Sequence, residues 1–178
     1  MSDTFKAIVA NAVATLNAKE FNSAKEDVRR LVDFLNVDGV KNYNSNDTVS
    51  EKISKGLNKL INRRLKNEPI SHLIGYRWFW ENKFIVNRNV LDPRPETECL
   101  VGEALSLIKK QTKILDLGTG SGCIGISIAL SSPLADVKGC DISLKALRVA
   151  KRNAKILGAN FNVFRSNWFS NVRESFDL

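Results

Sequence analysis

The chain has 178 residues, of which 43 % are hydrophobic and 26 % charged, and a formal net charge of +8. That length suits one ordinary domain or two small ones and buries roughly 70 % of the surface of the unfolded chain, while the apolar share argues against wholesale disorder. No apolar run approaches membrane-spanning length and the N-terminus has neither a signal-peptide core nor an Arg-rich presequence, so the expectation is a cytoplasmic protein without a membrane partner.

Cys99, Cys123 and Cys140 are odd in number, widely spaced and set among apolar residues. They are expected to be small buried hydrophobes rather than a disulfide frame or a metal site. The positive charge permits a polyanionic partner such as RNA, or an acidic protein surface. Its densest pairs are Arg63-Arg64 and Lys151-Arg152, and ordinary solvated helix faces account for them equally well.

Phe5, Ile8, Val9, Ala12, Val13 and Leu16 recur at helical spacing and predict a first amphipathic helix. Ser23 to Glu26 has the capping-box pattern, and Val28, Leu31, Val32 and Leu35 continue it as a second apolar stripe. Asp38 to Asp47, rich in asparagine, predicts a loop. Thr48 to Glu51 offers another capping box before a third stripe, Ile53, Leu57, Leu60, Ile61 and Leu65. Clustered carboxylates, histidines and nucleophiles are missing from these helices, so they read as a packing or recognition module.

Pro69 ends the bundle. His72, the one histidine, stands beside Leu73 and Ile74 and reads as a hydrogen-bonded structural residue rather than a base. The aromatic and β-branched runs Arg77 to Trp80 and Lys83 to Val86, on either side of Glu81-Asn82, predict a β-hairpin whose aromatics hold its strands together. Pro93-Arg94-Pro95-Glu96-Thr97-Glu98 then leads into a helix through Leu100, Val101, Ala104, Leu105 and Ile108.

Lys113-Ile114-Leu115 reads as a buried strand that runs through Asp116 into glycines at 118, 120, 122 and 125, with a helix over Cys123 to Leu130. Glycines there let a ligand lie against bare main-chain N–H groups. Gly120, Gly122 and Gly125 form a GxGxxG match, which by itself would suit a dinucleotide. Asp116 favours another ligand: a carboxylate where the strand ends repels a pyrophosphate and attracts an ammonium and a sulfonium, as in S-adenosylmethionine. Asp136 to Cys140 predicts the next strand, ending at Asp141, where an acid meets ribose hydroxyls. A helix follows through Leu144, Leu147, Ala150, Ala154 and Leu157, closed by Gly158, and then a strand over Phe161 to Phe164. Trp168, just beyond, suits either stacking on adenine or core packing. Ser175 to Leu178 begins what reads as a fourth strand.

Glu68 to Gly75, the aromatic hairpin, Pro93 to Glu98, Asp116 to Gly122, Asp141 and Ser166-Asn167-Trp168-Phe169 together resemble the release factor glutamine methyltransferases, almost from end to end. The resemblance implies an α/β chain in three parts. Residues 1–69 would be a helical bundle recognising the release factor, 70–92 a hairpin linker, and 93–178 the first half of a class I, Rossmann-like methyltransferase domain. It also implies S-adenosylmethionine as cofactor and, as substrate, the side-chain amide of the glutamine in the Gly-Gly-Gln loop of peptide chain release factors. Gly118, Thr119, Gly120, Ser121 and Gly122 would line the methionine part, Asp141 would hold the ribose and Trp168 would flank the adenine. Asn167 stands where the family commonly has aspartate.

The family's Asn-Pro-Pro-Tyr motif, which grips the substrate amide, would follow the fourth strand. Its absence gives the expectation that the chain is a front part of a longer enzyme, inactive alone, without catalytic residues of its own and with an unpaired edge on its first sheet strand that makes it aggregation-prone. Alternatives are a nucleic-acid amino-group methyltransferase, a non-catalytic release-factor-binding module and, weakest, a dehydrogenase.

Overall fold

The computed structural model describes residues 4–35, 46 and 48–178, so the loop expected over Asp38 to Asp47 lies, save Asn46, outside the described residues. The chain divides into two compact units, Met1–Ile74 and Gly75–Leu178.

The first unit contains α1 (Phe5–Asn17), α2 (Ala24–Leu35), α3 (Glu51–Arg64) and α4 (Ile70–Ile74). Thr4 caps α1, its Oγ1 accepting from the Ala7 N–H at 3.3 Å. Helix α3 starts two residues later than the expected box implies: Ser50 is its N-cap, and Thr48 instead forms a single antiparallel bridge with Thr4. Leu16, Val28, Leu31, Val32, Leu57 and Ile61 are buried where the three stripes meet. Arg64 is drawn into this core: its Nε donates to Asp27 Oδ2 at 2.8 Å and its guanidinium lies 4.4 Å from the centroid of the Phe21 ring. Arg63 pairs with Glu68, so the densest basic pair of this unit is spent on internal contacts. His72 lies in α4, and its buried Nε2 has no hydrogen-bond partner among the described residues, contrary to the expectation of a bonded histidine.

The second unit opens with the hairpin, β1 (Tyr76–Phe79) and β2 (Asn82–Ile85), paired from Tyr76 opposite Ile85 to Phe79 opposite Asn82. Its turn sits at Trp80-Glu81, one residue earlier than the sequence pattern predicts, with Trp80 in the left-handed region at φ 53°. Glu98 explains the position, since its Oε1 accepts the Trp80 main-chain N–H at 2.9 Å, while the indole N–H donates to Ser131 Oγ at 3.2 Å. The hairpin therefore packs within this unit. A 3₁₀ turn (Pro95–Thr97) leads into α5 (Glu98–Leu107), followed by β3 (Lys113–Leu117), α6 (Cys123–Ser131), β4 (Asp136–Asp141), α7 (Leu144–Leu157) and β5 (Asn162–Arg165).

Strands β3, β4 and β5 form one parallel sheet in chain order, with Ile114 opposite Val137 and Gly139 opposite Val163. Two strand–helix–strand passages build this sheet, so its C-terminal strand ends all lie at one edge. The far side of β3 is not bare, as had been expected: Asp177 N–H donates to the Lys113 carbonyl at 2.8 Å and Leu115 N–H to the Leu178 carbonyl at 3.0 Å. Phe79, Phe84, Val101, Ile114, Ile126 and Val137 fill the core that joins hairpin, helices and sheet. Cys123 and Cys140 are buried as expected, but Cys99 is exposed on the first turn of α5, where helical phase turns it outward.

Candidate functional site

Each strand of the parallel sheet delivers residues to one pocket of about 260 Å³. Leu117 and Gly118 follow from β3, Cys140, Asp141 and Ile142 from β4, and Ser166, Asn167 and Trp168 from the loop after β5. This is the crevice outside the carboxyl ends of the strands where open α/β sheets take ligands.

The glycine loop keeps its shape through main-chain bonds. The N–H groups of Gly118 and Thr119 both donate to the Cys140 carbonyl, at 2.8 and 2.9 Å, and Gly122 N–H donates to the Thr119 carbonyl at 2.8 Å. Gly118 has φ 81°, and a Cβ there would meet nothing within 4 Å, so its open side is a bare cradle on the pocket. Gly122 has φ 83° for a different reason: a Cβ there would come to 2.7 Å from Ile126 Cδ1 and 3.3 Å from Ala150 Cβ. It lets α6 and α7 approach, away from the pocket.

Both acids hold the loop. Asp141 Oδ2 accepts the Gly120 N–H at 3.0 Å and Oδ1 accepts the Ser143 N–H at 2.8 Å, which leaves each oxygen a further lone pair. Asp116 Oδ2 accepts from Thr119 Oγ1 at 2.6 Å and from the Gly125 N–H at 3.0 Å. Burial pushes the Asp116 carboxyl above its ordinary pKa, against the opposing pull of those two bonds and with a smaller upward push from Asp141. Asp116 does not line the pocket of Asp141 and Trp168. It lies on a second, mainly apolar cleft of about 300 Å³ with Leu100, Ala104, Ile124 and Leu117. The thiol of Cys123, beside this loop, is pushed up to about 11 by burial and is an inert packing group at neutral pH.

The structure separates the expected site residues into two sets. Gly118, Asp141 and Trp168 line the pocket. Thr119 and Ser121 are buried at 6 % and 3 % exposure, so neither side chain faces the crevice. Trp168 is 72 % exposed, which removes core packing as its role, and it stands in the left-handed region at φ 51°. Ser166 holds it there: the buried hydroxyl donates to the Trp168 carbonyl and accepts the Asn171 N–H at 3.1 Å.

Two residues that sequence reasoning passed over complete the support. Asn153, 1 % exposed, accepts the Ile85 N–H at 2.8 Å and donates to the carbonyls of Ile85 and Ser121 at 3.0 and 2.8 Å. It ties the hairpin to the glycine loop. Its signal was present, because position 153 falls in phase with Ala150 and Ala154 on the buried side of the helix. Phe161 is the second: its ring fills the space that Cβ atoms on Gly125 and Gly139 would occupy, at 2.4 and 2.5 Å. Among the described residues no group of three or more His, Cys, Asp or Glu is placed to hold a metal ion, and no helix is long and apolar enough to cross a membrane.

Residues 95–178 match the family model of the methyltransferase small domain. The chain is similar to the release factor glutamine methyltransferase of Neisseria gonorrhoeae, 41 % identical over 123 residues, covering 69 % of this chain and 45 % of that protein. It is also similar to the bifunctional methyltransferase of Rickettsia felis, 32 % identical over 212 residues, covering 100 % of this chain and 40 % of that protein. The chain thus spans less than half the length of the curated relatives it matches. Among solved structures, a Pyrococcus abyssi tRNA (uracil-54, C5)-methyltransferase in complex with S-adenosyl-L-homocysteine aligns at TM-score 0.48 and 21 % identity, covering 57 % of this chain and 26 % of that one.

Proposed function

We propose that these residues form the cofactor-binding part of an S-adenosylmethionine-dependent enzyme that methylates the side-chain amide nitrogen of the glutamine in the Gly-Gly-Gln motif of peptide chain release factors. The observation that carries the proposal is the joining of three strand ends into one crevice that offers open main chain at Gly118, a carboxylate with spare lone pairs at Asp141 and an exposed indole at Trp168. The similarity to release factor glutamine methyltransferases supplies the substrate class.

The donor set fits the cofactor. Asp141 accepts ribose hydroxyls on the lone pairs not used by Gly120 and Ser143, and Trp168 offers its face to adenine. Gly118 carries no side chain that would fill the cradle. Asp116 acts from below the loop, fixing Thr119 and the start of α6 rather than touching the ligand. When bound, S-adenosylmethionine supplies a methyl group on a sulfonium, electrophilic without further activation. An amide nitrogen is a poor nucleophile because its lone pair is delocalised into the carbonyl. Its transfer chemistry needs acceptors that orient the nitrogen, the role the resemblance gives to Asn-Pro-Pro-Tyr, a motif that these 178 residues do not contain.

Calorimetry of the protein with S-adenosylhomocysteine tests the cofactor half. Binding that falls at least about tenfold in D141A and W168A is expected, the loss of one charged hydrogen-bonding or stacking group. Absence of heat, or affinity for NADH in its place, would overturn it. For the substrate, a protein in which these residues are joined to a segment carrying Asn-Pro-Pro-Tyr is expected to place label from methyl-labelled cofactor in the release-factor glutamine and not in a factor carrying alanine there.

A further inference from the structure

Away from the crevice, the second unit has a pocket of about 340 Å³ with a different character. One wall is the chain after β2, with Asn87, Arg88 and Asn89; the other is the face of α7 that carries Lys145, Arg148 and Arg152. Among the described residues no carboxylate lines it. Among the described residues none of the four cations takes part in an ion pair, whereas Lys55 and Lys138 elsewhere in the chain find Glu51 and Glu174.

The sequence around it is of one sign. From Ile142 to Arg173 there is not one Asp or Glu, and there are seven cations: Lys145, Arg148, Lys151, Arg152, Lys155, Arg165 and Arg173. An ordinary solvated helix face mixes signs, because opposite charges three or four apart stabilise it and like charges do not. Lys145 also stands in the first turn of α7, at the positive end of the helix dipole, where a cation costs stability. Local stability therefore does not explain the pattern; a polyanion does.

The pocket is also held in shape. Val86 and Val90 pack on Ala146 and Val149 beneath it, Asn153 grips Ile85 at its edge, and Asn87 Oδ1 accepts the Asn89 N–H at 2.9 Å. Lys145 and Arg152 are separated by about 10 Å along the helix axis, the axial rise of about three phosphates on one nucleic-acid strand. Three of the four cations are arginines, whose planar forks match phosphate oxygens, and the two asparagine amides add neutral donors.

We propose that this pocket is a docking site for the phosphate backbone of RNA, separate from the methyltransferase crevice. It binds without reading sequence, since its donors are cations and amides and its lining has no exposed aromatic ring for base stacking. Fluorescence anisotropy of the full chain with a short mixed-sequence single-stranded RNA tests it. Four phosphate contacts predict a slope of about −3 in log affinity against log salt, a loss of about 50-fold between about 50 and 200 mM. R148Q/R152Q is expected to halve the slope and weaken binding at least tenfold at the lower salt, with an unchanged far-UV spectrum because both side chains are exposed. R88Q, from the opposite wall, is expected to weaken it independently and decides the matter should the double variant misfold. The proposal is overturned if RNA does not bind, if neither variant changes its binding, or if polyglutamate of equal length binds as tightly, which would assign the pocket to an acidic protein surface.

Discussion

Burial holds the Asp116 carboxyl above its ordinary pKa even though Thr119 and Gly125 donate to it. Because the folded-state value is the raised one, the folded protein holds this proton more tightly than the unfolded chain does. The stability it contributes is full below the ordinary carboxyl range, about pH 4, and is lost as pH rises through the raised value. D116N keeps an acceptor oxygen for both donors and removes the titration. The unfolding free energy of D116N is therefore expected to gain on the wild type as pH increases from about 4 to 8, measured as paired urea midpoints; a pH-independent difference would contradict the assignment. Phe161 supplies the second test. A methyl at Gly125 would meet its ring at 2.4 Å, and one at Gly139 would meet it at 2.5 Å, so the ring fills the space of both absent side chains. G125A is expected to cost about 1–3 kcal/mol, and F161L should recover part of that in the double variant, a non-additivity read from chemical denaturation.

Helix α7 links the parts of the second unit. Its buried face carries Leu147, Ala150 and Ala154 into the core, and from the same face Asn153 reaches both β2 and the glycine loop. Replacing Asn153 by alanine strips partners from one main-chain N–H and two carbonyls, a loss of about 3 kcal/mol. Native-state hydrogen exchange should find the Ile85 amide released from protection in N153A while amides in β4 keep theirs; equal loss across the sheet would mean that Asn153 supports the whole unit and not the hairpin junction. The same helix turns its other face, basic and without acids, to the solvent pocket. One element thus positions the crevice on its inner side and presents the cationic site on its outer side.

All three tryptophans, Trp78, Trp80 and Trp168, belong to the unit Gly75–Leu178, whereas the buried Arg64–Asp27 pair belongs to Met1–Ile74. D27A leaves the Arg64 guanidinium in the core without its carboxylate and is expected to cost about 3–5 kcal/mol. The loss should register in helix content by far-UV circular dichroism at a denaturant concentration where tryptophan fluorescence is still native; coincident shifts of both signals would mean that the units unfold as one. Helices α1 to α3 and α5 to α7, the strands and the order strand, acid, glycine loop, helix, strand, acid were legible in the linear pattern, because apolar periodicity and strand-end glycines are set by local geometry; the short α4 was not. So was the resemblance that Pro93 to Glu98 and Asp116 to Gly122 carry. Side-chain direction was not legible. Thr119 and Ser121 turned inward, Asp116 faced a different cleft from Asp141, and Trp168 stood clear of the core, since these depend on which groups across the chain claim each hydrogen bond. Arg63 and Arg64 were indistinguishable in the sequence from the cations of α7, yet they pair with Glu68 and Asp27, whereas Lys145, Arg148 and Arg152 form no ion pair among the described residues. Only folding brings distant carboxylates near or keeps them away, and that pairing decides whether a basic residue holds the protein together or faces a partner.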